Sequence, residues 1–150
     1  MVLGNPGSGC STFLKTIANH RHDYHATNGT VAYDALTPQE IEKYYRGDVQ
    51  FCPEDDIHFP SLTVEQTLDF AATVRTPHSP SPFSRAQIRD RITIMLTTVF
   101  GLREARKTPV GDALIRGVSG GQKKRVSLAE TLAARGYLTS WDKCVFLNLK

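Results

Sequence analysis

Apolar residues recur at helical spacing at Ile88, Ile92, Leu96 and Val99, after a Ser84/Gln87 capping pair and before Gly101. This pattern predicts an amphipathic helix whose apolar stripe belongs to a core. A second capping box, Thr63-Val64-Glu65-Gln66, opens "VEQTLDFAATVR", which must end before Pro77. Upstream, Thr37 at the cap, Pro38 at the first helical position, Glu40 closing the box and Gly47 as the stop predict a short helix over "TPQEIEKYYRG". "DVQF" follows it as a short strand. At the start of the chain, a strand stub (Met1-Val2-Leu3) runs into a Gly-rich turn and then a helix, "STFLKTIANH". "HRHDYHATNGT" and "TPHSPSPFS" read as loops, the latter also compatible with a Pro-rich recognition motif. There is no internal repeat. Alternating strand and helix predicts an α/β layer fold with a helical insert.

Composition narrows the class without naming a chemistry. With 150 residues, 40% of them hydrophobic and 22% charged, the chain can bury a domain-sized core. A net charge of +3 with no long basic run gives no argument for nucleic acid; Lys123-Lys124-Arg125, the densest basic stretch, reads as a solvated helix face. Cys10, Cys52 and Cys144 are too few and too scattered for a disulfide framework, which favours reduced thiols and an intracellular setting. The best apolar run, "ITIMLTTVFGL", falls short of the ~18 residues a membrane span needs. His20, His22 and His25 lack a carboxylate or cysteine at ligand spacing, so a hydrated loop explains them better than a metal.

"GNPGSGCST", residues 4–12, is where chemistry enters. The phosphate-loop pattern G-x-x-x-x-G-K-[ST] uses glycines to curl backbone N–H groups around phosphate, a lysine for its outer oxygens and a hydroxyl for Mg²⁺. Gly4, Gly9 and Ser11 match, but Cys10 stands where the lysine belongs. A phosphate loop normally follows a buried strand, and only a stub precedes this one. The expectation is therefore a fragment lacking its first strands.

Two further stretches, "FCPEDDIHFPSLTVEQTL" (51–68) and "RGVSGGQKKRVSLAE" (116–130), join this loop in an order and spacing that resemble the Walker A, Q-loop and signature motifs of an ATP-binding cassette (ABC) domain. Cys10 for the Walker A lysine, Glu54 for the Q-loop glutamine and the pair Trp141-Asp142 at Walker B make it similar to the first nucleotide-binding domain of fungal pleiotropic drug resistance transporters of the ABC G subfamily. The resemblance covers roughly residues 1–142 and implies a P-loop NTPase fold with a RecA-like core, truncated at both ends. It also implies a helical insert at about 64–118, "YLTSWD" as the Walker B strand, and residues 143–150 as a divergent tail without the family's Gly-Leu-Asp turn.

By the same resemblance, ATP would lie on Gly4, Asn5, Pro6, Gly7, Ser8, Gly9, Cys10, Ser11 and Thr12. Ser11 and Asp142 would serve Mg²⁺. Losing one charge-assisted hydrogen bond to phosphate costs roughly 1.5–3 kcal/mol, or about ten- to a hundredfold in affinity. Binding is thus weakened rather than abolished, because the N–H groups of Gly7–Ser11 and the following helix dipole still favour an anion. Cys10 is no substitute, since a thiol carries no positive charge and a thiolate would repel phosphate. Lys143 stands where catalytic cassettes place a glutamate base, and a protonated lysine cannot accept a proton. The chain's own site is therefore expected to be catalytically deficient.

ABC domains pair head to tail, so Ser119, Gly120, Gly121 and Gln122 would close over ATP held by a second nucleotide-binding domain. The remaining partners implied are transmembrane domains, at the cytoplasmic face of a membrane. Glu54 reads either as a residue transmitting closure or as a surface carboxylate beside Asp55 and Asp56. The sequence also leaves open a non-functional product of a damaged gene and a soluble ABC ATPase.

Overall fold

Among the described residues, 1–76 and 82–143 of a computed structural model, four of the five helices begin on a hydroxyl that closes back onto the backbone. Thr37 caps α2 (Pro38–Tyr44), Thr63 caps α3 (Val64–Arg75), Ser84 caps α4 (Arg85–Val99) and Ser119 caps α5 (Gly120–Ala133). Each hydroxyl accepts the N–H three residues on, and the side chain there, Glu40, Gln66, Gln87 or Gln122, accepts the cap residue's own N–H. Such boxes satisfy two otherwise orphaned donors and fix where a helix starts. The exception is α1 (Cys10–Ile17), whose cap, Gly9, has no side chain to offer and sits at φ 85°.

The described chain divides into two units: residues 1–54 with 136–143, and residues 55–135. In the first unit, β1 (Val49–Cys52) and β2 (Leu138–Trp141) pair in parallel, Val49 opposite Leu138 and Cys52 opposite Trp141. Ala18, Ile41 and Val49 form the core beneath them, with Tyr33, Leu36, Phe51 and Leu138 packed around it. The Tyr33 hydroxyl donates to the Ile17 carbonyl at 2.6 Å and ties the loop to the end of α1. Met1, Val2 and Leu3 do not form the expected strand: they are exposed, and the described sheet has only β1 and β2. A strand with no neighbour leaves its N–H and C=O groups unpaired and has nothing to hold it extended.

The second unit is helical. α3 packs against both α4 and α5, which also touch each other. Val64, Leu68 and Ala72 meet Ile92 and Leu96 of α4 and Val126, Leu128 and Ala129 of α5, all buried. The stripe on α4 differs from the periodicity reading at its end, because Val99 is exposed while Thr93 and Thr97 are buried. Threonine can occupy a core when its hydroxyl is satisfied. Thr97 donates to the Thr93 carbonyl at 2.8 Å, and Thr93 donates to the Asp69 carboxylate.

A crossing of the chain delivers α5. Gly111, at φ 71°, and Gly117 pass so closely that a Cβ on either would come within 2.6 Å of the other's backbone. Val118 N–H then bonds the Pro109 carbonyl, and Val110 N–H bonds Leu62, fixing the approach to Ser119. Asp112 closes the turn by accepting from the N–H groups of Leu114 and Ile115, both at 2.8 Å. Two predicted features, the Pro-rich stretch at 77–81 and the tail at 144–150 with Cys144, lie outside the described residues.

Hydrogen bonds from Ile115 and Leu114 hold the Asp112 carboxyl below its ordinary value, and bonds from the Thr37 N–H and hydroxyl do the same for Glu40. A carboxyl so lowered stabilises the fold above its unfolded value and loses that contribution as pH falls through the folded one. The protection factor of the Ile115 amide, its exchange rate relative to the unstructured rate at the same pH, is therefore predicted to hold above the ordinary aspartate range and to drop as pH falls through the lowered value. Asp112→Asn should remove most of that acid dependence.

Candidate functional site

The Gly-rich turn has the geometry its letters require. Gly7 and Gly9 sit at φ 82° and 85°, a region where side chains are rare. Gly4 leaves room of a different kind, since a Cβ there would lie 2.2 Å from the Ser8 Oγ and 2.9 Å from the Cys10 Sγ and would displace both side chains. The Ser8 N–H bonds the Asn5 carbonyl at 3.0 Å, closing a turn over Pro6 and Gly7, and the Phe13 N–H bonds Gly9 to begin α1. Residues 4–9 are exposed throughout; Cys10 and Ser11 are half-buried and Thr12 is exposed at the first turn of the helix. An exposed turn with glycine amides before a helix start suits a phosphate group. The side chain at position 10 brings no cation: the Cys10 Sγ lies 3.3 Å from the Ser8 Oγ.

Where β1 and β2 end, the chain places three charged residues. The Asp142 N–H bonds the Cys52 carbonyl at 3.0 Å and extends the ladder, leaving Asp142 buried at 7% exposure. Lys143 follows at φ 47°, and its Nζ reaches the Glu54 Oε2 at 2.6 Å. Glu54 and Lys143, both singled out by the sequence, thus face each other. Their 89-residue separation hid this from the sequence. The donor set of Ser11 and Asp142, a hydroxyl and a carboxylate, has the oxygen chemistry Mg²⁺ prefers. The cleft lined by His20, His22, Glu42 and Arg46 also touches Ala18 and Val49, where the strands begin, and contains none of the predicted residues.

In the helical unit, the Ser119 Oγ accepts from the Gln122 N–H at 3.3 Å and the Gln122 Oε1 accepts from the Ser119 N–H at 2.9 Å. Between them, Gly120 and Gly121 are exposed, and a Cβ on either would meet nothing within 4 Å. Nothing inside the described chain requires those two glycines. What they leave is a bare stretch of backbone at a helix start, open to a group from outside.

One cluster was missed by sequence reading. The Ser127 Oγ of α5 donates to the Asp56 Oδ1 at 2.6 Å, and the His58 Nε2 lies 2.8 Å from the same hydroxyl. The His58 Nδ1 lies 3.4 Å from the Glu130 Oε2, with its side chain only 4% exposed. Lys124 reaches Asp56 at 3.6 Å. This network ties the segment after Glu54 to the side of the helix that Ser119 caps.

Residues 1–145 match the model of the ABC transporter family. The chain belongs to that family. Over 144 residues it is 49% identical to the ABC transporter CDR4 of Candida albicans, covering 95% of this chain and 10% of that protein. It is 43% identical over 143 residues to the brefeldin A resistance protein of Schizosaccharomyces pombe, and 46% identical over 145 residues to the ABC multidrug transporter atrF of Aspergillus fumigatus. In both cases it covers 95% of this chain and 9% of the relative. The chain thus spans about a tenth of the length of these ABC transporters. Family membership carries with it the P-loop NTPase fold and ATP as the ligand class, and the helices and parallel strand pair agree with that fold. No described helix is long and apolar enough to cross a membrane.

The network around His58 makes a stability prediction. His58→Ala removes a buried partner from the Ser127 hydroxyl and is expected to destabilise the helical unit by about 1–3 kcal/mol. Ser127→Ala combined with it should add less than its effect alone, as a denaturant double-mutant cycle would measure.

Proposed function

We propose that this chain is the ATP-binding module of an ABC efflux transporter, close in kind to the first, degenerate cassette of fungal drug-resistance pumps. Its own site holds MgATP without hydrolysing it and keeps a pair of cassettes together. The loop residues Gly4 to Thr12 bind phosphate through backbone amides, and Ser11 and Asp142 serve the Mg²⁺. Cys10 and Lys143 leave the site without a Walker A ammonium and without a base to orient water.

Its positive contribution lies in the other unit. Ser119, Gly120, Gly121 and Gln122 close over an ATP anchored on the second nucleotide-binding domain. Backbone amides at a helix start then meet charge that builds on the transferring phosphoryl group. Transmembrane domains of the transporter couple this closure to export, with the module at the cytoplasmic face of the membrane. Glu54 passes that closure toward them, a reading supported by its position in the sequence just before residues 56–58. The observation that carries the reading is the contrast between a phosphate loop without its cation and a helix start whose glycines no internal contact requires.

The division of labour is tested in a complete homologous transporter carrying these residues. Cys10→Lys is expected to leave ATP turnover nearly unchanged. Ser119→Ala should lower turnover at least tenfold, but it also removes a helix cap worth about 1 kcal/mol. Ser119→Asp separates the two effects, because aspartate caps a helix as well as serine does yet repels phosphate. If Ser119→Asp matches wild-type turnover while Cys10→Lys raises it, the proposal is wrong.

A further inference from the structure

We propose that Lys143 supplies the cation the phosphate loop lacks, exchanging its ion pair with Glu54 for the outer phosphate oxygens of a nucleoside triphosphate. This rests on the reading of residues 4–12 as a nucleotide site and assigns a specific side chain within it.

The placement follows from how α1 lies on the strand pair. α1 packs against β2. At its C-terminal end, Ala18 packs with Val49, the first residue of β1, and with Leu138, the first residue of β2. One turn earlier, the Lys15 Nζ lies over the Phe51 ring at 5.9 Å. The helix therefore runs back along the strands, and its eight residues, at about 1.5 Å each, cover nearly the length of four strand residues at about 3.3 Å each. Its first turn, with Cys10 and Ser11, comes level with the strand ends that carry Glu54 and Lys143. Ligands in parallel α/β sheets collect at these carboxyl ends.

Charge chemistry distinguishes Lys143 from the other lysines of the unit. Lys15 stands in the last turn of α1 over Phe51, and Lys43 lies over Tyr44 at 4.9 Å. The Lys143–Glu54 pair is 63% and 52% exposed, and exposed pairs of this kind are weak. A triphosphate offers several negative oxygens and a stronger charge-assisted bond, so exchanging partners is favourable. Lys143 is also held at a positive φ directly after the buried Asp142, a backbone setting uncommon for lysine and concentrated at binding sites. The residue that cannot act as a base can still act as a point charge.

The test is calorimetric titration of the full chain with MgATP and with AMP, alongside thermal melts of each variant. Lys143→Met is expected to weaken MgATP binding about ten- to a hundredfold, to change AMP binding less than twofold and to melt as wild type does. Lys143→Arg should retain most of the MgATP affinity, and Cys10→Lys placed in the Lys143→Met background should restore it. If wild type binds MgATP and Lys143→Met binds it equally, the assignment to Lys143 is overturned and the loop's role stands. If wild type itself binds neither nucleotide, the reading of the loop fails, and the assignment with it.

Discussion

A helix start leaves backbone N–H groups without partners, and what meets them decides everything else about this chain. Four helices resolve the problem internally with a hydroxyl and a carboxylate or amide three residues apart. α1 does not, because its cap is a glycine at positive φ and the preceding turn is exposed. α5 carries the same box, Ser119 with Gln122, but Gly120 and Gly121 leave the backbone of its first turn open. The uncapped start of α1 and the open first turn of α5 are the two helix starts that suit an anion from outside.

On the proposed reading, this difference is how a phosphate loop can carry Cys10 in place of a lysine and keep its turn. The lysine acts on the bound phosphate and contributes nothing to the turn itself. The turn depends on Gly7 and Gly9, whose positive φ strains any side chain, and on Gly4, where a Cβ would push the side chains of Ser8 and Cys10 aside. The Ser119 turn depends on the crossing at Gly111 and Gly117 and on hydrogen bonds from Val110 and Val118. Binding chemistry and scaffold are therefore separable at both helix starts, and substitution at position 10 changes one without the other.

Legibility in the sequence followed sequence distance. The boxes at Thr37, Thr63 and Ser84 were readable because both partners lie within four residues, whereas Ser119 and Gln122 were read for phosphate and their box came from the structure. "DVQF" and "YLTSWD" placed the two strands within a residue of their observed limits, Val49–Cys52 and Leu138–Trp141, but not their pairing. Two features depended on long-range contact and left no local trace: the Lys143–Glu54 pair and the Asp56–Ser127–His58–Glu130 network. The strand stub at Met1–Leu3 and the burial of Val99 were misjudged because alternation and periodicity report what could be buried, not whether a neighbour is there to bury it. Thr93 and Thr97 took the place of Val99 once Asp69 and a helix carbonyl satisfied their hydroxyls.

The most direct measurement is the ATP hydrolysis rate of a complete transporter in which Gly120 and Gly121 of this cassette are both replaced by valine. A Cβ at either position meets nothing within 4 Å among the described residues, and the Ser119–Gln122 box stays in place, so the substitutions act mainly on a group approaching from outside. Hydrolysis should collapse while ATP still binds the partner cassette. Hydrolysis at an undiminished rate would contradict a helix start here closing over a nucleotide held elsewhere.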